Sequence, residues 1–196
     1  NMITAIEFPV REQLAEALGE PVWCDNDATC AALAEWQRGA GVGSRDMWMV
    51  TLGTGIGGGL VSGGALQHGA HGHAGEVGHM VVQADGEDCP CGQRGCWERY
   101  ASGAGLSQLA GGIAGEEVID RARAGEIASL EVLDKFCTWV ALGLANIANM
   151  SDPDTMVIGG GVMENADILL PRIQERFATM LYAPSHRVHP VLKSAQ

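Results

Sequence analysis

Positive charge is scarce in this chain: 12 Lys and Arg stand against 24 Asp and Glu among 196 residues, a formal charge of −12. Such a surface repels phosphate backbones and anionic membranes, which argues against nucleic acid as a partner for this portion. Also missing is any apolar run long enough for a membrane span, and the start, Asn1-Met-Ile-Thr-Ala-Ile-Glu-Phe-Pro9, has no basic segment followed by an apolar one. The reading that remains is a globular cytoplasmic protein, with 46% hydrophobic content ample for the core of one large domain or two small ones. No initiator Met stands at position one, and the chain stops just after a strand-like run, so both ends read as cut.

Glycine, by contrast, is abundant: 28 residues gathered in punctuated loops rather than spread as low complexity. Such clusters mark backbone lying close to a ligand or to itself. The densest chemistry lies in His79-Met-Val-Val-Gln-Ala-Asp-Gly-Glu-Asp-Cys89-Pro-Cys91-Gly-Gln-Arg-Gly-Cys96-Trp-Glu98. Three cysteines fall within eight residues, Gly92 and Gly95 let the loop bend, and a histidine precedes the first thiol by ten positions. Three thiolates and an imidazole complete a tetrahedral set for zinc, a closed site and therefore a structural one. A disulfide is the competing reading, but Cys89 and Cys91 are too close in sequence to bridge easily, and an odd thiol would be left over. The spacing is not that of a zinc finger, so DNA reading does not follow from it.

Along the chain, strand-like and helical patterns succeed one another. Residues 11–19 place Leu14, Ala17 and Leu18 at helical intervals before Gly19, and residues 21–24 read as a short buried strand. Asp25-Asn26-Asp27 stands between that strand and a helix over 28–37, where α/β sheets place ligand groups. Residues 46–52 read as a buried strand running into Gly53-Thr54-Gly55-Ile56-Gly57-Gly58-Gly59. Gly53-x-Gly55-x-x-Gly58 formally matches the dinucleotide fingerprint, but that motif needs a helix next, and residues 60–67 read as strand, Gly-Gly turn and strand. What remains is a glycine loop closing a β-hairpin, either an anion cradle of exposed N–H groups or a tight turn without a ligand.

Residues 69–78 are rich in Gly and His, and a loop carrying Glu76 and His79 beside the metal set reads as functional. His68, His71 and His73 read as exposed loop residues. A helical region from Trp97 to Gly103 leads to helices over 116–124 and about 127–150. The longer one lines up Leu130, Val132, Leu133, Phe136, Val140, Leu144 and Ile147 for the core, with Cys137 as a small buried hydrophobe. A strand over 154–161 ends in Gly159-Gly160-Gly161, and a helix over 168–181 leads to a strand around Val188.

Taken in order, Asp25-Asn26-Asp27, Leu52-Gly-Thr-Gly-Ile-Gly-Gly-Gly59, Glu76-Val-Gly-His79, the segment Cys89 to Glu98 and Val157-Ile-Gly-Gly-Gly161 resemble the ROK family of bacterial sugar kinases and sugar-responsive repressors. The likeness is greatest to its glucokinase branch. It implies an actin-like, ribonuclease-H-like α/β fold in which two lobes enclose sugar and ATP. Residues 1–196 match mostly the larger C-terminal lobe, with the zinc loop 79–98 inserted. The family's small N-terminal lobe with its Asp-x-Gly-Gly-Thr phosphate loop, and its glycine-rich C-terminal helix, have no counterpart in this chain.

Residue by residue, the resemblance makes Asp27 the catalytic base and Asn26, Asp27, Glu76, His79 and Glu98 the sugar site. It makes His79, Cys89, Cys91 and Cys96 the structural zinc ligands, so that one imidazole nitrogen holds metal while the other serves a sugar hydroxyl. Gly53, Thr54, Gly55, Ile56, Gly57, Gly58, Gly59, Leu60, Val61 and Ser62 match an ATP-binding segment, and Gly159, Gly160 and Gly161 a region near the nucleotide. Asn1 is matched to a sugar-contacting Asn at the lobe junction. The plainer role for Asp27 is a helix N-cap, and both can hold for one residue.

The implied activity is ATP-dependent phosphorylation of a hexose with Mg2+, glucose to glucose 6-phosphate first. A kinase for N-acetylmannosamine or another hexose is the alternative, and a sugar-sensing repressor is the alternative from another class. N-acetylmannosamine kinases sometimes carry His at the position of Glu76, so a carboxylate leans toward glucose. Repressors tolerate loss of the base, so Asp27 weighs against that reading. Polyphosphate-using relatives lack the cysteine loop, which favours ATP as donor. The implied assembly is a homodimer or homotetramer.

Overall fold

The computed structural model of the chain describes residues 9–183, 185 and 188–195. Five strands, β1 (Met47–Leu52), β2 (Ile56–Ser62), β3 (Ala65–Gln67), β4 (Thr155–Gly159) and β5 (Val191–Ser194), form one mixed sheet in the order β3-β2-β1-β4-β5. β1 and β2 make an antiparallel hairpin in which Leu52 faces Ile56. β4 runs parallel to β1, from Met47 opposite Thr155 to Thr51 opposite Gly159. The carboxyl ends of β1 and β4 therefore lie side by side, and the chain leaves both at Gly53 and Gly160. That edge is where open α/β sheets place ligands.

Two helices precede the sheet, α1 (Val10–Leu18) and α2 (Asp27–Arg38), and five follow the hairpin: α3 (Glu98–Ala101), α4 (Gly103–Leu109), α5 (Gly115–Arg123), α6 (Ile127–Ser151) and α7 (Ala166–Met180). Alternation along β1 sends Trp48, Val50 and Leu52 into the larger core and Met47 and Met49 into a smaller one. The larger core is built on α6, whose Leu133, Phe136, Val140, Leu144 and Ile147 have no exposed surface, as its apolar spacing predicts. Cys137 is buried there too, and burial pushes its thiol up to about 12. On the opposite face α2 packs Ala32 against Met47, Met49, Val61 and Val157. Among the described residues, no helix is long and apolar enough to cross a membrane.

The glycines of β2 are there for space. A Cβ at Gly57 would meet Ala28 Cβ at 2.7 Å, one at Gly59 would meet Ala32 Cβ at 2.4 Å, and one at Gly58 would meet the Gly75 carbonyl oxygen at 2.7 Å. A strand without side chains lets α2 lie directly against one face and the segment carrying Gly75 against the other. The glycine loop itself is shorter than its sequence suggests, because β2 already begins at Ile56.

Two further expectations are corrected. Residues 21–24 are not a strand: the stretch is irregular, Trp23 is 85% exposed, and no described strand lies alongside to pair its backbone. α1 does close on a left-handed Gly19, yet it buries none of its residues. The last strand begins at Val191 rather than around Val188, which is 92% exposed. Pro190 has no N–H for a ladder, and Val191 is the first residue to donate one, to Asp154 O at 3.0 Å.

Candidate functional site

The start of α2 carries polar residues that divide the work between them. Asn26 is the cap, its Oδ1 accepting from the N–H groups of Ala28 at 2.9 Å and Thr29 at 3.2 Å. The capping role considered for Asp27 therefore falls to its neighbour. Asp27 is the first helical residue; its Oδ1 accepts from the Ala28 N–H at 2.8 Å, and its other oxygen has no partner among the described residues. Both side chains line an open cleft of about 520 Å³ together with Thr51, the loop 53–55, Gly72, Ala74, Gly75, Glu76, Glu98 and Gly160. Three carboxylates thus face one cavity at the carboxyl edge of the sheet.

The metal set assembles from two sides. His79 ends a short 3-10 turn, Val77–His79, while the three cysteines come from a tight loop. Gly92 and Gly95 have φ of +94° and +74°, the left-handed region, and a Cβ at Gly95 would overlap the Gln83 carbonyl oxygen at 1.7 Å. Zinc–thiolate bonds of about 2.3 Å set a tetrahedral edge of about 3.8 Å between sulfurs. Cys91 Sγ and Cys96 Sγ are 3.6 Å apart, Cys89 Sγ and His79 Nδ1 3.8 Å, and all four ligand atoms lie within 4.8 Å of one another. The set fits a tetrahedral ion with no ligand position left for water. All six cysteines are free, so no disulfide competes. Burial, then the neighbouring thiols, pushes Cys96 up to about 12, the penalty a thiolate meets there when no cation shares its charge.

This loop is docked on α6. The Trp97 indole N–H donates to Trp139 O at 2.7 Å, Tyr100 stacks on the Trp139 ring at 4.5 Å between centroids, and the Tyr100 hydroxyl accepts from Glu87 N–H at 2.7 Å. Trp97 is fully buried between Cys96 and Glu98, so the metal loop and the cleft carboxylate share one anchor. His79 turns Nδ1 to the thiols, and its Nε2 lies 3.9 Å from Glu76 Oε2; unlike Glu76 and Glu98, the ring is not among the residues that line the cleft.

Not every residue matched to the ATP segment reaches a cleft. Leu60, Val61 and Ser62 lie farther along β2; Val61 is buried in the smaller core, and Ser62 Oγ bonds Asp46 Oδ1 at 2.9 Å. Gly59 packs on α2, and Gly159 packs against Met49 and Ala195. Gly53, Thr54, Gly55, Ile56, Gly57, Gly58 and Gly160 do line the first cleft. Gly53 and Thr54 also line a second cleft of about 630 Å³, to which Gly161 belongs, walled by α4, α5 and the turn after β4. Its other lining, which includes Gly103, Ala104, Glu116, Ile119, Val162 and Asn165, carries no motif-like spacing and was not legible in the sequence. Asn1 lies outside the described residues.

A family model described as "ROK family" matches residues 1–196. The chain belongs to the ROK family. It is 38% identical over 191 residues to a glucokinase of Halalkalibacterium halodurans, an alignment covering 87% of this chain and 58% of that protein. It is 28% identical to the xylose repressor of Bacillus subtilis, over 96% of this chain and 50% of that one. The chain therefore spans little more than half the length of these relatives. Among solved structures, a ROK glucokinase of Streptomyces griseus in complex with glucose and AMPPNP superposes with a TM-score of 0.88 at 35% identity, over 96% of this chain and 67% of that one. A ROK hexokinase of Thermus thermophilus gives 0.87 at 35%, over 96% of this chain and 65% of the other. The mixed sheet with its helical layers is accordingly the α/β, actin-like ROK fold, and the His and three Cys form the zinc-type cluster expected on it.

Proposed function

We infer that the complete protein is an ATP-dependent hexose kinase with glucose as its acceptor. The observation that carries this reading is the convergence of Asp27, Glu76 and Glu98 on one cleft that shares Gly53 and Thr54 with a second. The sugar occupies the first cleft and Mg2+-ATP the second, so the γ-phosphate comes to the shared loop. Asp27, with one carboxylate oxygen unengaged, takes the proton from the attacking hydroxyl; the oxygen bonds to phosphorus as the bond to ADP breaks. Little basicity is needed, because in a loose transition state the proton leaves late and alignment dominates. Asn26, Glu76, Glu98 and the Nε2 of His79 pair with ring hydroxyls, and a sugar that leaves such groups unpaired is rejected. Zinc, held by His79, Cys89, Cys91 and Cys96, is structural. The thiolate set suits the reducing cytoplasm. A symmetric homo-oligomer, dimer or tetramer, is the expected assembly.

The deciding experiment is a coupled assay on the complete protein, comparing glucose, N-acetylmannosamine and galactose by kcat/KM. A higher value for N-acetylmannosamine would overturn glucose as acceptor. The likeness to xylose repressors supports a second reading, a sugar-sensing regulator. Turnover of any hexose that disappears in Asp27→Asn would exclude it.

A further inference from the structure

The loop 53–55 separates the two clefts, and it is held at both ends by the unit that follows the metal site. Glu98 Oε2 accepts from the Ile56 N–H at 2.8 Å, and Gly53 O accepts from the Gly103 N–H at 2.7 Å. Gly53 N–H is closed onto Gly55 O at 2.9 Å, while the N–H groups of Thr54 and Gly55 donate to nothing among the described residues. Gly55 is the residue that allows the grip: a Cβ there would stand 2.3 Å from Glu98 Oε2. Glu98 is two positions past Cys96 and follows the buried Trp97, so its backbone has little freedom. Its carboxylate also lines the first cleft. One carboxylate therefore touches both the loop and the space assigned to the sugar.

We propose that Glu98 is a positioning residue for the nucleotide cleft as well as a sugar ligand, holding the loop 53–55 with the Thr54 and Gly55 N–H groups presented to phosphate. This rests on the kinase reading for its ligand, but the holding of the loop does not. A carboxylate can accept from Ile56 with one oxygen and from a sugar hydroxyl with the other.

Three variants of the complete, zinc-loaded protein test this. Glu98→Ala removes the acceptor. Glu98→Gln keeps a carbonyl oxygen for Ile56 while changing what the sugar meets. Gly55→Ala leaves Glu98 in place and pushes it off the loop. Without sugar, AMPPNP binding by calorimetry should weaken by roughly tenfold in Glu98→Ala, the scale of one lost charge-assisted hydrogen bond. Gly55→Ala should weaken it similarly, and Glu98→Gln should stay within about threefold of wild type, since a neutral acceptor retains part of that bond. The exchange rate of the Ile56 amide, measured without either ligand, should rise in Glu98→Ala and Gly55→Ala and not in Glu98→Gln. A residue that serves only the sugar would move neither readout. Unchanged Ile56 exchange in Glu98→Ala overturns the proposal, as does sugar-free AMPPNP affinity equal to wild type. If the wild-type protein binds no AMPPNP while Ile56 exchange still follows the expected order, the kinase reading fails and the positioning role of Glu98 stands.

Discussion

His68 Nε2 lies 2.6 Å from Asp25 Oδ2, a hydrogen bond that ties the residue before Asn26 to the segment leading into Gly72. Asp25 precedes Asn26 and Asp27, its other oxygen accepting from the Asn26 N–H at 2.8 Å; His68 opens the glycine loop whose Gly72, Ala74 and Gly75 line the first cleft. The His68 hydrogen bond, helped by the Asn26 N–H, holds the Asp25 carboxyl below its usual range against the opposing effect of burial. A carboxyl whose pKa is lowered on folding stabilises the folded state above its unfolded value, about 3.9, and loses that contribution as pH falls through the lowered value. His68→Ala should therefore lower the melting temperature at about pH 6 and lower it by less at about pH 3. A gap of equal size at both pH values would show that the contact is one of packing, not of charge.

The metal set predicts about one zinc per chain, bound independently of turnover. In the complete protein, chelation should lower the melting temperature by at least about 5 °C and weaken binding of the proposed substrate, glucose, in the same titration, because Trp97 links Cys96 to Glu98. Cys91→Ser should reproduce both effects. Cys91 is exposed, and an exposed Cys→Ser change without a metal role would fall within about 0.5 kcal/mol of wild type. Purified protein with well under one zinc and three freely titrating thiols would refute the site.

Gly143 of α6 is an unadvertised determinant of the same loop. A Cβ there would meet Trp97 Cε2 at 2.0 Å, inside a core where the indole is fully buried and tied to Trp139 O. Overpacking of this kind costs about 1–3 kcal/mol. In the complete protein, Gly143→Ala should lower the denaturation midpoint accordingly and raise the KM for the proposed substrate, glucose, since displaced Trp97 carries Glu98 with it. A stability loss with unchanged KM would show that the ring yields without moving its neighbours.

These relationships mark the boundary of what the sequence discloses. The metal ligands were legible because Cys, His and turn glycines are all dedicated to one purpose in a short span, and α6 because its apolar residues repeat along 25 positions. Strand positions were less legible where a neighbour decides them: residues 21–24 have strand-like composition, but a strand exists only against a partner. Glycine was the most ambiguous residue. Gly57, Gly58 and Gly59 read in sequence as part of a ligand loop, yet each also makes room for packed backbone or side chain, and only three-dimensional distance separates the two uses. His68 read as an unconstrained loop histidine because its partner is 43 positions away.

In the complete protein, Asp27→Asn isolates the proposed proton-accepting role of that residue. Asn26 supplies the cap of α2, so the helix start keeps its hydrogen bonds, and the exposed Asp27 should be replaceable with a stability change within about 0.5 kcal/mol. The amide has nearly the shape of the carboxylate and can still meet a hydroxyl, but it cannot take its proton. The loss should therefore appear in kcat, by about 10²- to 10⁴-fold, and not in the dissociation constant for sugar. Stopped turnover with intact calorimetric binding and an intact melting temperature is the expected triple. A variant that keeps more than about a tenth of kcat removes Asp27 from the role of base. One that loses sugar binding along with kcat makes it a sugar ligand first, and the proton acceptor must then be sought among Glu76 and Glu98, the other carboxylates of the cleft.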